Sequence, residues 1–154
     1  MSGNTGASGF SKFSPNSIPV SALDRNLLFL TGQETGTSYG TTSTTFVEVD
    51  SENFAGYISS RSGWVKLTFF GIGKPGTADI FSMSATVGGV PVHERGNNGL
   101  WYQDQAALNT CSFVAIAPCE GKQRVALTWR AHSGVAPILY CGTGNYCQFV
   151  VEEW

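Results

Sequence analysis

The stretch Asp79-Ile80-Phe81-Ser82-Met83-Ser84-Ala85-Thr86-Val87 decides the fold. Phe81, Met83, Ala85 and Val87 alternate with Ser82, Ser84 and Thr86. Successive side chains of a strand point to opposite faces, so this period of two predicts a half-buried β-strand. Gly88-Gly89 follows, a dipeptide that accepts the positive φ demanded by a two-residue hairpin turn. Val90-Pro91-Val92-His93 then pairs back, at an edge because Pro91 has no N–H to give a ladder.

The same pattern continues outward in both directions. Residues 64–70 place Val65, Leu67 and Phe69 on one face, and residues 124–130 place Val125, Leu127 and Trp129 on one face. Residues 110–116, 138–141 and 146–152 read as further strands, with 45–50 and a weaker 54–59 upstream. No long helical pattern lies between them. Without crossover helices the sheets must be largely antiparallel. The expected fold is therefore all-β, an antiparallel two-sheet sandwich or jelly roll of about eight strands.

Composition limits what such a domain does. The 154 residues carry 13% charged residues and a net charge of −2, while Ser and Thr make up roughly a fifth. That charge content is about half the usual value. It fits a surface of neutral hydroxyls, or one covered by other subunits, where charges are depleted. The nine Lys and Arg are scattered and form no basic stripe, which argues against nucleic acid as a partner. No apolar run approaches the length of a membrane span, and the start MSGNTGASGF has neither a basic nor an apolar leader region. The expectation is a product of the cytoplasm without a signal peptide, and no membrane partner.

Residues 1–20 are rich in Gly, Ser, Asn and Pro without either periodicity, and read as an extended N-terminal arm. Phe10, Phe13, Ile18 and Val20, punctuated by Pro15 and Pro19, are spaced anchors for a neighbouring subunit or a shell surface. Residues 21–45 form a connecting segment. Within it, 21–30 (SALDRNLLFL) suits a short helix, through a capping start at Ser21 and Asp24, or equally a strand. Residues 31–45 read as a Thr, Gly and Ser linker. The domain itself is expected over 46–154.

Several motifs invite chemistry and are outweighed by structural readings. Gly71-Ile72-Gly73-Lys74-Pro75-Gly76 satisfies the spacing of a dinucleotide loop, but the next residues alternate with period two instead of opening a helix, so a glycine-rich interstrand loop is expected. His93 and His132 stand far apart with no nucleophile signature beside them. Glu48, Asp50 and Glu52 would share a strand face, yet Ca²⁺ needs six to eight oxygens and no loop supplies the rest. No catalytic residue, metal site or cofactor is predicted. In the loop 96–104, Asn98, Trp101 and Tyr102 suit three roles: one aromatic in the core, an intersubunit anchor, or a glycan platform. Cys111, Cys119, Cys141 and Cys147 contain no C-x-x-C pair. They could be buried thiols, or bridge Cys111 with Cys119 and Cys141 with Cys147 across predicted turns, or cross-link the last two hairpins.

The closing third carries a resemblance. Cys111-Ser112-Phe113-Val114-Ala115-Ile116, the run from Glu120 through Trp129-Arg130, Ser133-Gly134, and the terminal Phe149-Val150-Val151-Glu152-Glu153 resemble the last strands of jelly-roll domains in tailed-phage virion proteins. Thr44-Thr45-Phe46-Val47-Glu48-Val49-Asp50 similarly resembles the opening strand, so the resemblance spans residues 43–154. Such domains occur at the ends of tail fibres, where they bind receptors, and as capsid decoration (cement) proteins. With no coiled-coil or β-helical stalk in the sequence, decoration is favoured. The resemblance then implies a homotrimer in the virion whose N-terminal arms reach across neighbours and lock it to the major capsid protein of the shell.

Overall fold

The computed structural model describes residues 26–32, 37–77, 79–92, 99–104, 107–141 and 147–154. The arm residues Phe10, Phe13, Pro15, Ile18, Pro19 and Val20, and also His93 and Asn98, lie outside the described residues.

The described chain is all-β and contains no helix. Twelve strands run in chain order: β1 (Leu27–Thr31), β2 (Thr37–Gly40), β3 (Val47–Glu48), β4 (Ala55–Ser60), β5 (Trp64–Lys74), β6 (Phe81–Val87), β7 (Val90–Pro91), β8 (Trp101–Gln103), β9 (Asn109–Pro118), β10 (Gly121–Ala131), β11 (Ile138–Cys141) and β12 (Gln148–Glu153). They form two six-stranded sheets with every pairing antiparallel.

In the first sheet the long β5 is the spine. β9 pairs with it from Trp64↔Pro118 to Gly73↔Asn109. On the other side lie β12 and β11 end to end, with Phe70↔Gln148 to Val65↔Glu153 and Ile72↔Tyr140 as registers. β1 continues the sheet beyond β12, and β2 beyond β11. In the second sheet β10 is the spine, flanked by β6 on one side and by β4 and β3 on the other. β7 and β8 border β6.

Alternation puts one face of each sheet into a shared core. Val65, Leu67 and Phe69 of β5 meet Phe149 and Val151 of β12, and β9 adds Cys111, Phe113 and Ala115. The opposite layer is Phe81, Met83 and Ala85 of β6 with Val125, Leu127 and Trp129 of β10. Each large side chain so buried contributes about 1.5–3 kcal/mol. The β6–β7 turn has φ of 60° at Gly88 and 81° at Gly89, the positive pair that a type I′ hairpin requires.

Three sequence expectations are corrected here. The strand count is twelve, not about eight, because β3, β7 and β8 are two or three residues long and too short to show a period. Residues 27–31, left open between helix and strand, are a strand, and the correction falls on residues 37–40 of the expected linker, which are another; both are held by pairing with strands near the C-terminus, which local sequence cannot display. The strand expected over 45–50 shrinks to Val47–Glu48, because the Asp50 carboxylate accepts the Glu52 and Asn53 N–H groups and turns the chain.

Candidate functional site

The two sheets present different outer faces. On the second sheet Ser82, Ser84, Ala126 and Thr128 point away from the core yet are buried, and the Ser84 hydroxyl donates to the Val92 carbonyl at 3.2 Å. The first sheet's outer face is open, with exposed apolar side chains set among threonines, a serine, a glutamine and one Lys–Glu pair.

Register defines this open face row by row. Ile116, Lys66, Glu152 and Leu27 form one row, and Val114, Thr68, Val150 and Phe29 the next. Ser112, Phe70, Gln148 and Thr31 follow, then Thr110, Ile72 and Tyr140. At the end beyond the first row the backbone N–H of Trp154 donates to the Trp64 carbonyl at 3.1 Å, so two exposed tryptophans sit at adjacent backbone positions of neighbouring strands. The most exposed apolar residues lie at the lateral margins, with Val114 64% exposed on β9 and Leu27 63% exposed on β1. In the middle, Lys66 Nζ sits 2.6 Å from Glu152 Oε1 and 5.5 Å from the Trp154 ring centroid. The pair cancels its own charge, leaving the face near neutral and chemically suited to burial against another apolar surface. Sequence reading missed Leu27, Phe29, Trp64, Phe70 and Trp154. The available signal was that β5 and β9 carry apolar residues on both faces, as strands covered on both sides do.

A polar cluster lies at the far end of the second sheet. Ser82 Oγ is 2.8 Å from His132 Nε2, and Arg130 Nη2 is 3.2 Å from the same nitrogen. Burial and the neighbouring Arg130 charge hold His132 below its ordinary pKa, only partly opposed by Asp79. Asp79 Oδ1 in turn accepts the Ile80 and Ser133 N–H groups at 2.7 and 2.9 Å. This is a Ser–His contact, but Ser82 has no exposed surface and sits mid-strand.

The other sequence candidates are dispersed. Trp101 packs edge-on against Phe81 with ring centroids 5.0 Å apart, turning toward the core, whereas Tyr102 is exposed. Glu48 makes a two-pronged contact with Arg124, whose guanidinium holds the Glu48 carboxyl below the usual range. Glu48 and Asp50 are therefore separately engaged and do not line one face, a further correction. Gly71 and Gly73 lie within β5, not in an interstrand loop. They are small because Phe69, Phe81 and two sulfurs occupy the space a Cβ would need.

All four cysteines are buried thiols without a disulfide. Cys111 and Cys119 stand at opposite ends of the straight β9, about 26 Å apart at the strand rise, so a bridge between them is ruled out; no turn separates them. Cys141 and Cys147 are neighbours whose thiols hydrogen-bond. Among the described residues no group of three or more His, Cys, Asp or Glu side chains could hold a metal ion, and no helix is long and apolar enough to cross a membrane. A shallow depression of about 160 Å³ lined by Val87, Val90, Pro91, Val92, Ala117 and Pro118 is smaller than small-molecule sites, which run from roughly 300 Å³ upward.

No protein-family model matches the chain, and no curated protein sequence matches it. Among solved structures it is similar to the EclA C-terminal domain, described as a sugar-binding protein, at 8% identity and a TM-score of 0.38 over 78% of this chain and 80% of that one. It is also similar to the VP2 subviral particle of infectious bursal disease virus, at 11% identity and a TM-score of 0.37 over 84% of this chain and 37% of that one. Likeness this distant carries no functional inference.

Proposed function

We propose that this protein is a non-enzymatic structural component of a phage particle, a capsid decoration protein that binds the head shell as a homotrimer and stiffens it. The observation that supports it is the open face of the first sheet, where aromatic and β-branched side chains stand exposed around a self-neutralised ion pair. Contiguous exposed apolar surface on this scale marks an interaction site on a soluble domain. The low charge content fits a surface spent largely against other subunits. In this reading residues 1–20 act as a strap with Phe10, Phe13, Ile18 and Val20 as anchors onto a neighbouring subunit and the major capsid protein. Linked modest contacts then gain avidity by raising the effective concentration of the later ones. The test is co-sedimentation of the full chain with undecorated shells of the phage that encodes it, with shell resistance to heat measured alongside. Saturable binding and a raised disruption temperature are expected; failure to co-sediment overturns the reading.

A second reading, a receptor-binding tail-fibre or tail-tip module for glycans, is favoured by the exposed Trp154, with Lys66 Nζ 5.5 Å from its ring centroid and Glu152 paired to that lysine, and by the exposed Trp64 whose backbone carbonyl it bonds. Indole faces stack on sugar rings while charged neighbours take the hydroxyls. It predicts cell or glycan binding that Trp154→Ala abolishes, and unchanged binding in that variant removes it.

A further inference from the structure

Two strands of the first sheet run out at the same place. β11 is aligned with β5 by Leu139↔Gly73 and Tyr140↔Ile72, and β12 by Phe149↔Phe69 and Gln148↔Phe70. Continued by one residue, the first register arrives at Gly71 with Cys141 and the second at Gly71 with Cys147. On the other side of β5, Gly71 is paired with Cys111. Positions that share one row of a sheet face the same way, and all three cysteines are buried in the core.

The neighbours of this row leave room for sulfur. A Cβ on Gly71 would lie 3.1 Å from Cys147 Sγ. One on Gly32, whose N–H donates to the Cys147 carbonyl, would lie 2.8 Å from Cys141 Sγ. Glycines thus flank the pair on both sides, and a side chain at either position would displace a thiol. The Cys147 thiol donates to the Tyr140 carbonyl at 3.0 Å, so it is turned back across the junction toward β11.

We infer that Cys141 and Cys147 are a redox-active dithiol, which a peroxide converts into a disulfide tying the end of β11 to the start of β12. The two thiols already hydrogen-bond, so the S–S bond of about 2.05 Å closes a contact and not a gap. Both residues are 2% exposed, which admits an oxidant close to water in size and excludes bulky ones. Cys111 stands across β5 with Gly71 between, and Cys119 lies beyond the far end of β9, so neither competes for the bond. The pair's chemistry holds whether or not the chain binds a shell.

The two sulfurs are not equivalent. Their shared hydrogen bond holds Cys147 below the ordinary thiol pKa, against its burial, and raises Cys141. Cys147 is therefore the thiolate that attacks, and Cys141 the partner that resolves. In the first step the Cys147 sulfur bonds to one peroxide oxygen, the O–O bond breaks, and the departing hydroxide takes up a proton as water, leaving a sulfenic acid. In the second the Cys141 sulfur attacks the sulfenic sulfur, the S–O bond breaks, and hydroxide leaves as water with the Cys141 proton. Two thiols and one peroxide give one disulfide and two waters. A reducing thiol pool reopens the bond by exchange.

The experiment uses the full chain, reduced and then freed of reductant. It is exposed to hydrogen peroxide at a dose that oxidises the urea-unfolded chain, quenched with catalase, alkylated in urea, cut with trypsin and weighed by mass spectrometry. Cleavage puts Cys111 and Cys119 in residues 96–122, and Cys141 and Cys147 in residues 131–154. The native chain is expected to lose both alkyl groups from 131–154 alone, that peptide being lighter by two hydrogens, and to regain them after a dithiol reductant. Without peroxide both peptides carry two alkyl groups. Cys141→Ser is expected to stop at a sulfenic acid on Cys147, captured by a cyclic dione, and Cys147→Ser to give none. Full alkylation of 131–154 in the peroxide-treated wild type, a bridge that includes Cys111 or Cys119, or a sulfenic acid captured on Cys141 instead overturns the proposal, and the wild-type result stands without any substitution.

Discussion

Gly73 and Phe81 meet face to face across the sandwich, so closely that a Cβ on Gly73 would lie 3.0 Å from Phe81 Cζ. The same Cβ would stand 3.1 Å from Cys111 Sγ and from the Ile138 carbonyl. The glycine of the apparent dinucleotide motif is thus a packing residue, since its missing side chain is the room Phe81 occupies. Gly73→Ala is expected to overpack this point and cost about 1–3 kcal/mol, read as a lower urea midpoint. A variant as stable as wild type would show that the layers can part without penalty.

His132 sets an early acid limb. Burial first, and Arg130 second, keep its folded pKa below the ordinary value of 6.5. Protonation therefore opposes the folded state: the contribution of the neutral ring is complete above the unfolded pKa and is lost as pH falls through the depressed folded one. Stability should begin to fall just below pH 6.5, before the carboxylates Glu48, Asp50 and Asp79, which are also depressed, start to titrate. His132→Gln, which keeps a polar partner for Ser82, should flatten the denaturant midpoint between about pH 7 and pH 5. An unchanged slope in that window would remove His132 as its source.

Arg124 and Glu48 join the spine of the second sheet to the two-residue β3 through two parallel contacts. Both side chains are about a third exposed, so solvent screens the pair and its worth is modest. Arg124→Lys, which keeps the charge and loses the fork, should cost less than about 1 kcal/mol in urea unfolding. A loss of several kcal/mol would mean that β3 depends on this contact for its place in the sheet.

Strand identity was legible wherever one face is buried and the other wet. Residues 81–87 and 124–130 read correctly because polar outer positions mark the alternation, even though Ser82 and Thr128 prove to be covered. Leu27–Thr31 was ambiguous because its first four residues, LLFL, are apolar without alternation, and only its pairing to β12, more than a hundred residues away, decides its state. The open face was illegible for a related reason. Trp64, Phe70 and Val114 share one surface only once β5 and β9 are aligned, and register is a property of two strands that neither displays alone. The Ser82–His132 contact was hidden likewise, since the two are fifty residues apart and meet through the β6–β10 pairing.

The cysteines give the last prediction. All four are at most 2% exposed. Burial, with Cys147 nearby, pushes the Cys111 thiol up to about 12, and burial also raises Cys119. The hydrogen bond to Cys147, and burial after it, raise Cys141. The same hydrogen bond lowers Cys147, against burial. Thiolate is the species that attacks disulfide reagents, so Cys111, Cys119 and Cys141 lack both charge and access, while Cys147 is shielded by its burial alone. The native protein should therefore react negligibly with an aromatic disulfide reagent, and in urea without reductant all four thiols should appear at once. Two thiols in urea would mean that Cys141 and Cys147, the adjacent pair, have joined. Rapid labelling before unfolding would instead show that the first sheet opens locally near β11, whose Cys141 lies closest to the end of the described strand.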